Sequence, residues 1–151
     1  FFRFIYYMTT KYKALTDKNI IRLLQKYNIV LNGVIMSDEN IKLYPGYYLV
    51  NLDKVGGCGT HWTCFYYTGK LNLYYDSFGK PPPLAIEEKL KPLLFYNREQ
   101  HQHPASEACG YYCIAWIRFL NSGRNKSMLF NLFNNLLNDI QTNESQLKFL
   151  L

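Results

Sequence analysis

A thiol, an imidazole, a carboxylate and a carboxamide stand in this chain at spacings that permit attack on a carbonyl. The thiol is Cys109. A polar, proline-containing stretch, Gln102-His103-Pro104-Ala105-Ser106-Glu107-Ala108, runs into Cys109-Gly110 and then into an apolar tract ending at Leu120. The tract reads as a buried helix stopped by Asn121-Ser122-Gly123. Cys109 is thus expected at the first turn, where unpaired N–H groups and the positive dipole end favour a thiolate over a thiol. Such a sulfur attacks a carbonyl when a base and an oxyanion donor are supplied.

The base and its orienter come from a hairpin. Strands His61 to Tyr67 and Leu71 to Asp76 are joined through Thr68-Gly69-Lys70. A two-residue loop sets His61 opposite Asp76, with Cβ atoms about 5 Å apart on one face. A four-residue loop moves the pairing by two and keeps them on one face. A three-residue loop without a bulge separates them. On one face, Asp76 can fix the ring tautomer and stabilise the imidazolium. Taken singly, each residue has a plain reading: His61 as a structural histidine, Asp76 as a strand end, Cys109 as a small buried residue, Gln102 as a loop amide.

The remaining elements must hold these groups. Thr16-Asp17 caps a helix over roughly 17–27, with Ile20, Ile21, Leu23, Leu24 and Tyr27 at helical spacing. Asn32-Gly33 and Pro45-Gly46 are turns, Val34 to Met36 is a short strand or loop, and Tyr47 to Leu52 is a strand. Gly56-Gly57-Cys58-Gly59-Thr60 lacks the Lys-Ser/Thr ending of a phosphate loop; it suits close backbone approach instead. After Pro81-Pro82-Pro83 come a helix over Leu84 to Leu90 and a strand over Leu93 to Asn97. Beyond the cysteine helix, Ser127 to Leu137 is helical, with Met128, Leu129, Leu132, Phe133, Leu136 and Leu137 on its apolar face. Asn143 caps a last helix to Leu151. The order implies one α+β domain over 1–151 with a mostly antiparallel sheet.

Length and composition agree with one domain. The chain has 151 residues, fourteen tyrosines and a formal net charge of +6. The lysines are scattered, so the charge reads as a solvated basic surface and at most weak DNA binding. No apolar run is long enough to span a membrane. The start, Phe1-Phe2-Arg3-Phe4-Ile5-Tyr6-Tyr7, lacks a signal-peptide cleavage site, and Met8 is a plausible natural start that leaves 1–7 upstream. An intracellular setting follows, and with it thiols that are free, metal-bound or reactive. Cys58-x-x-His61-x-x-Cys64, completed by His101, His103, Cys109 or Cys113, has the spacing of a zinc-stabilised binding module. Against it, His61 and Cys64 differ by an odd number and point to opposite faces of a strand.

His61-Trp62, then Tyr75-Asp76-Ser77-Phe78-Gly79, then Gln102-x-Pro104-x-Ser106-x-x-Cys109-Gly110 resembles the adenovirus maturation protease (adenain) family. The ubiquitin-like-protein proteases are its cellular relatives. The resemblance implies a papain-like, adenain-like cysteine endopeptidase without a cofactor. Its nucleophile is Cys109, its base His61, its acidic orienter Asp76 and its oxyanion donor Gln102, with Trp62 walling the substrate cleft. It further implies cleavage of viral precursor proteins at small-residue, glycine-containing sites; a monomer is expected, in the host cell nucleus or cytoplasm and packaged in the virion. Removal of a ubiquitin-like protein from conjugates is the alternative. The acid is Asp76, as in the cellular branch, where the adenovirus enzyme has glutamate. Counting back from Cys109, the family position of the cysteine that binds an activating peptide is Lys91, so that mechanism does not transfer. The compact length suits a viral, virophage or Polinton-type protease.

Overall fold

A computed structural model describes residues 12–57 and 59–151. The segment 1–7 and Cys58 therefore lie outside the described residues. The first described helix, α1 (Asp17–Gln25), starts at a reciprocal cap. Thr16 Oγ1 accepts from the Asn19 N–H, and Asn19 Oδ1 accepts from the Thr16 N–H, both at 3.1 Å. The strands are β1 (Gly33–Met36), β2 (Gly46–Asn51), β3 (Trp62–Tyr67), β4 (Asn72–Tyr75) and β5 (Leu94–Tyr96). The other helices are α2 (Leu84–Leu90), α3 (Cys109–Asn121), α4 (Lys126–Leu136) and α5 (Asn143–Leu147).

The five strands form one sheet in sequence order. Its centre is antiparallel, β2 with β3 and β3 with β4. Both outer pairings, β1 with β2 and β4 with β5, are parallel. The sheet is thus mixed, which qualifies the expected mostly antiparallel arrangement. Strand periodicity records which face a residue takes and is silent on direction. Only the crossover through α2, between β4 and β5, hinted at a parallel pair.

Alternation along the strands divides the core. Leu49, Cys64, Leu73 and Tyr75 face α1, α3 and α4, while Tyr48, Val50, Phe65 and Tyr74 face α2. Helix α3 is buried along most of its length, with Trp116, Ile117, Cys113 and Tyr112 fully inside. It lies between β3 and the other helices on that face, which is why its sequence is apolar all round. Helix α4 buries Leu129, Phe130 and Phe133 and leaves Met128, Leu132 and Leu136 outside, so its inward face is narrower than its sequence implies. Asn143 does not cap α5. Its amide donates to the His101 carbonyl, and Thr142 holds the cap position.

The hairpin register decides the site. Cys64 pairs with Tyr75 and Tyr66 with Leu73, leaving the four-residue loop 68–71. Asn72 Oδ1 closes that loop by accepting from the Thr68 and Gly69 N–H groups, and Thr68 Oγ1 accepts from the Leu71 N–H. Continued past Cys64 and Tyr75, the register sets Thr63 opposite Asp76 and His61 two residues before Thr63, diagonal to Asp76 on the same face. The chain then turns sharply: the Gly79 N–H donates to the Asp76 carbonyl at 2.8 Å with φ +73. A methyl group on Gly79 would stand 2.7 Å from the Glu99 carbonyl oxygen. Gly79→Ala is therefore expected to lower stability by roughly 1–3 kcal/mol. Urea unfolding should show a lower midpoint at unchanged slope; an unchanged midpoint would refute the close approach.

Candidate active site

Cys109 opens α3, as the break from polar to apolar sequence requires. No side chain caps this helix, so its first-turn N–H groups have no competing side-chain acceptor. The next residue must be small. A Cβ on Gly110 would come within 3.2 Å of both Leu15 and Ile20, the residues that lock α1 against the head of α3. The Cys-Gly pair thus joins a helix start to a packing constraint.

His61 precedes β3, and its Nε2 meets Asp76 Oδ1 at 2.8 Å. Cys109 stands near enough to the ring to raise its proton affinity. With Nε2 on the carboxylate, Nδ1 is the ring atom left for the sulfur. Phe78 stacks on the imidazole at 4.7 Å between centroids, which limits its rotation. Burial lowers the ring's proton affinity, but the hydrogen bond to Asp76, the nearby Cys109 and the charges of both outweigh it and raise His61 to about 9. At neutral pH the ring is an imidazolium between a carboxylate and a sulfur.

Asp76 is itself fixed. It is 1% exposed, and its Oδ1 also accepts from the Phe78 N–H at 2.8 Å. Asn97, equally buried, clamps its backbone: Oδ1 accepts from the Asp76 N–H at 3.0 Å and Nδ2 donates to the Asp76 carbonyl at 2.5 Å. The sequence reading gave Asn97 no role. The available signal was a polar residue closing an apolar strand.

Gln102 is buried on a loop tied to the acid's neighbour. The Ser77 carbonyl accepts from the His101 and Gln102 N–H groups at 2.8 and 2.9 Å. The Ser77 hydroxyl donates to Gln102 Oε1 at 2.6 Å, and Gln102 Nε2 donates to the Ser106 carbonyl at 2.7 Å. The carboxamide is thereby oriented three residues ahead of Ala105–Ser106, the approach to α3, with one amide hydrogen uncommitted. The His101 carbonyl accepts from Asn143 and Tyr112, and its Nδ1 accepts from the Tyr75 hydroxyl at 2.9 Å. Burial pushes the His101 ring down to about 4, so it is neutral and an acceptor.

Trp62 and Cys109 line the same cleft of about 440 Å³. Leu15 to Asp17 form one side of it and Gly57, Gly59 and Thr60 another. The Trp62 indole N–H donates to the Leu15 carbonyl at 2.7 Å, which holds the ring in the wall.

The zinc alternative drew on Cys58, which lies outside the described residues, and on His61, Cys64, His101, His103, Cys109 and Cys113. Cys64 and Cys113 are free thiols in the core. Burial, helped by a hydrogen bond with Cys64, pushes the Cys113 thiol well up, the setting of an inert thiol. His103 Nδ1 accepts from the Ala105 N–H. Among the described residues, no group of three or more His, Cys, Asp or Glu side chains is placed to hold a metal ion. Among them too, no helix is long and apolar enough to cross a membrane.

The sheet, with a cysteine heading the helix packed on it, has the α+β fold of the papain-like cysteine proteases. In particular, the structure is similar to the crystal structure of the ASFV pS273R protease, with a TM-score of 0.56 and 18% sequence identity. The alignment covers 91% of this chain and 66% of that one, so the chain spans just under two-thirds of that protease's length. A selenomethionine crystal structure of the same protease gives a TM-score of 0.55 at 16% identity, covering 91% and 68%. No protein-family model and no curated protein matches the sequence.

The charged imidazole has a consequence for stability. A histidine held above its unfolded value near 6.5 contributes fully below that pH, and the contribution is lost as pH rises through about 9. The melting temperature of the native chain, relative to a His61→Asn variant, is expected to fall between pH 6.5 and 9. A difference that stays constant or grows over that range would contradict the charged ring.

Proposed function

We propose that this chain is a cysteine endopeptidase with Cys109 as nucleophile. The observation that carries the reading is the His61–Asp76 hydrogen bond beside Cys109, which heads a buried helix on the edge of a cleft. The sulfur attacks a peptide carbonyl carbon, and the carbonyl electrons move onto oxygen. Gln102, through its uncommitted amide hydrogen, and the Cys109 N–H stabilise that oxyanion. As the C–N bond breaks, the imidazolium of His61 gives its proton to the departing amine. The neutral ring then takes a proton from water, whose oxygen attacks the thioester. The acid product leaves and the thiolate–imidazolium pair is restored. Asp76 holds the ring tautomer throughout.

The substrates we propose are viral precursor proteins cut at glycine-containing, small-residue sites. The sequence resemblance to the adenain family supports this, and the likeness in fold to a protease of ASFV is in keeping with it. A cleft with Trp62 in its wall and a glycine-rich loop at its side favours small residues near the scissile bond.

Cleavage of a Gly-Gly-containing capsid precursor should be abolished by Cys109→Ala with the fold intact. Gln102→Ala should reduce it by on the order of 10²–10³ in rate. Activity surviving Cys109→Ala would end the proposal. A parallel assay on a ubiquitin-like conjugate decides the substrate class: exclusive cleavage of the conjugate would replace maturation by deconjugation while leaving the chemistry in place.

A further inference from the structure

The cleft contains a polar group that this chemistry does not use. Met36, Asn51 and Trp62 pair side by side across β1, β2 and β3, and all three line the cleft. Paired residues on neighbouring strands share a face, so they form one row across the end of the sheet. Asn51 is 5% exposed. Its Oδ1 accepts from the Asp53 N–H at 2.9 Å and the Thr60 N–H at 3.1 Å. Both partners are backbone donors, so turning the amide round would set N–H against N–H. The free end is therefore Nδ2, and it meets no acceptor among the described residues.

Two observations show that Nδ2 opens on the cleft. It is absent from the sealed, unpartnered side-chain atoms of the described residues. Next to it stands Gly59, also in the cleft wall, where a Cβ would lie 3.0 Å from Nδ2 and cover it. Glycine at that position leaves the donor uncovered. The Gly59 N–H is in turn held by Asp53 Oδ2 at 2.9 Å, which fixes the loop around the opening.

We infer that Asn51 is a substrate-binding residue whose Nδ2 donates to a backbone carbonyl of the peptide segment lying in the cleft. Val34, Met36, Leu15 and Trp62 give the cleft apolar wall, and among the described residues it holds no Lys or Arg to favour an anion, which suits a neutral acceptor. A peptide presents a carbonyl at every residue whatever its side chains, and that carbonyl needs a donor once it leaves water. The inference rests on the proposed protease function.

The test compares two electrophiles on Cys109. Iodoacetamide is too small to use the cleft; a tetrapeptide chloromethyl ketone ending in Gly-Gly must lie along it. Asn51→Asp keeps an oxygen for the Asp53 and Thr60 N–H groups and replaces the donor by a second acceptor. Inactivation by the ketone, taken relative to the iodoacetamide rate, should slow by about ten- to a hundredfold; the melting temperature should fall somewhat, since the new carboxylate is 5% exposed beside Asp53. Gly59→Ala, which covers Nδ2 without altering Asn51, should give the same fall in the ketone rate relative to iodoacetamide, at a lower melting temperature because φ there is +95. An unchanged ketone rate in both variants, or an equal fall in both reagents' rates, would overturn the inference and leave the protease reading standing. Failure of iodoacetamide to label Cys109 in the native chain would overturn the protease reading, and this inference with it.

Discussion

A carboxylate out of contact with water has to be met by donors, and Asp76 organises much of this structure by that need. Its side chain takes the His61 ring and the Phe78 N–H, and its backbone is clamped by Asn97 and by the turn to Gly79. Each contact draws a different segment to the end of β4: the start of β3, the turn after β4, and the chain leaving β5. The imidazole cannot swing away without stranding a buried acid. The ring nitrogen that faces the sulfur is therefore selected by the one that faces the acid.

The sulfur is placed by a different force. Helix α3 is apolar all round because it is enclosed by the sheet and by other helices, and Gly110 lets α1 close over its first turn. Burial fixes the helix axis and so fixes where its first residue emerges. The two systems meet through Ser77. Directly after the acid, Ser77 orients Gln102 with its hydroxyl and binds the Gln102 loop with its carbonyl. Asn143 and Tyr112 secure the same loop from the helical side through the His101 carbonyl. The segment between the strands and Cys109 is thus tied at both ends.

Much of this was legible in the sequence for physical reasons. The break at Cys109 marks a helix start because polar sequence gives way at once to an enclosed apolar tract. His61 and Asp76 share a face for any even loop length, and Asn72 supplies the side chain that closes a four-residue loop. Strand direction was not legible, since alternation is the same for parallel and antiparallel neighbours. Asn97 and Asn51 were missed because an amide at a strand end gains its meaning only from which backbone groups the fold brings to it. His101 and Cys113 had the residue types of ligands, but burial leaves one a neutral acceptor and the other an inert thiol.

The central claim is that the carboxylate and the sulfur hold the imidazole in its charged form at neutral pH. Direct titration of the His61 ring by NMR tests it. The account predicts a midpoint near 9, as the geometry sets it, falling sharply when Asp76 is replaced by asparagine. A ring that titrates near 6.5 in the native chain, and is indifferent to Asp76, would contradict it.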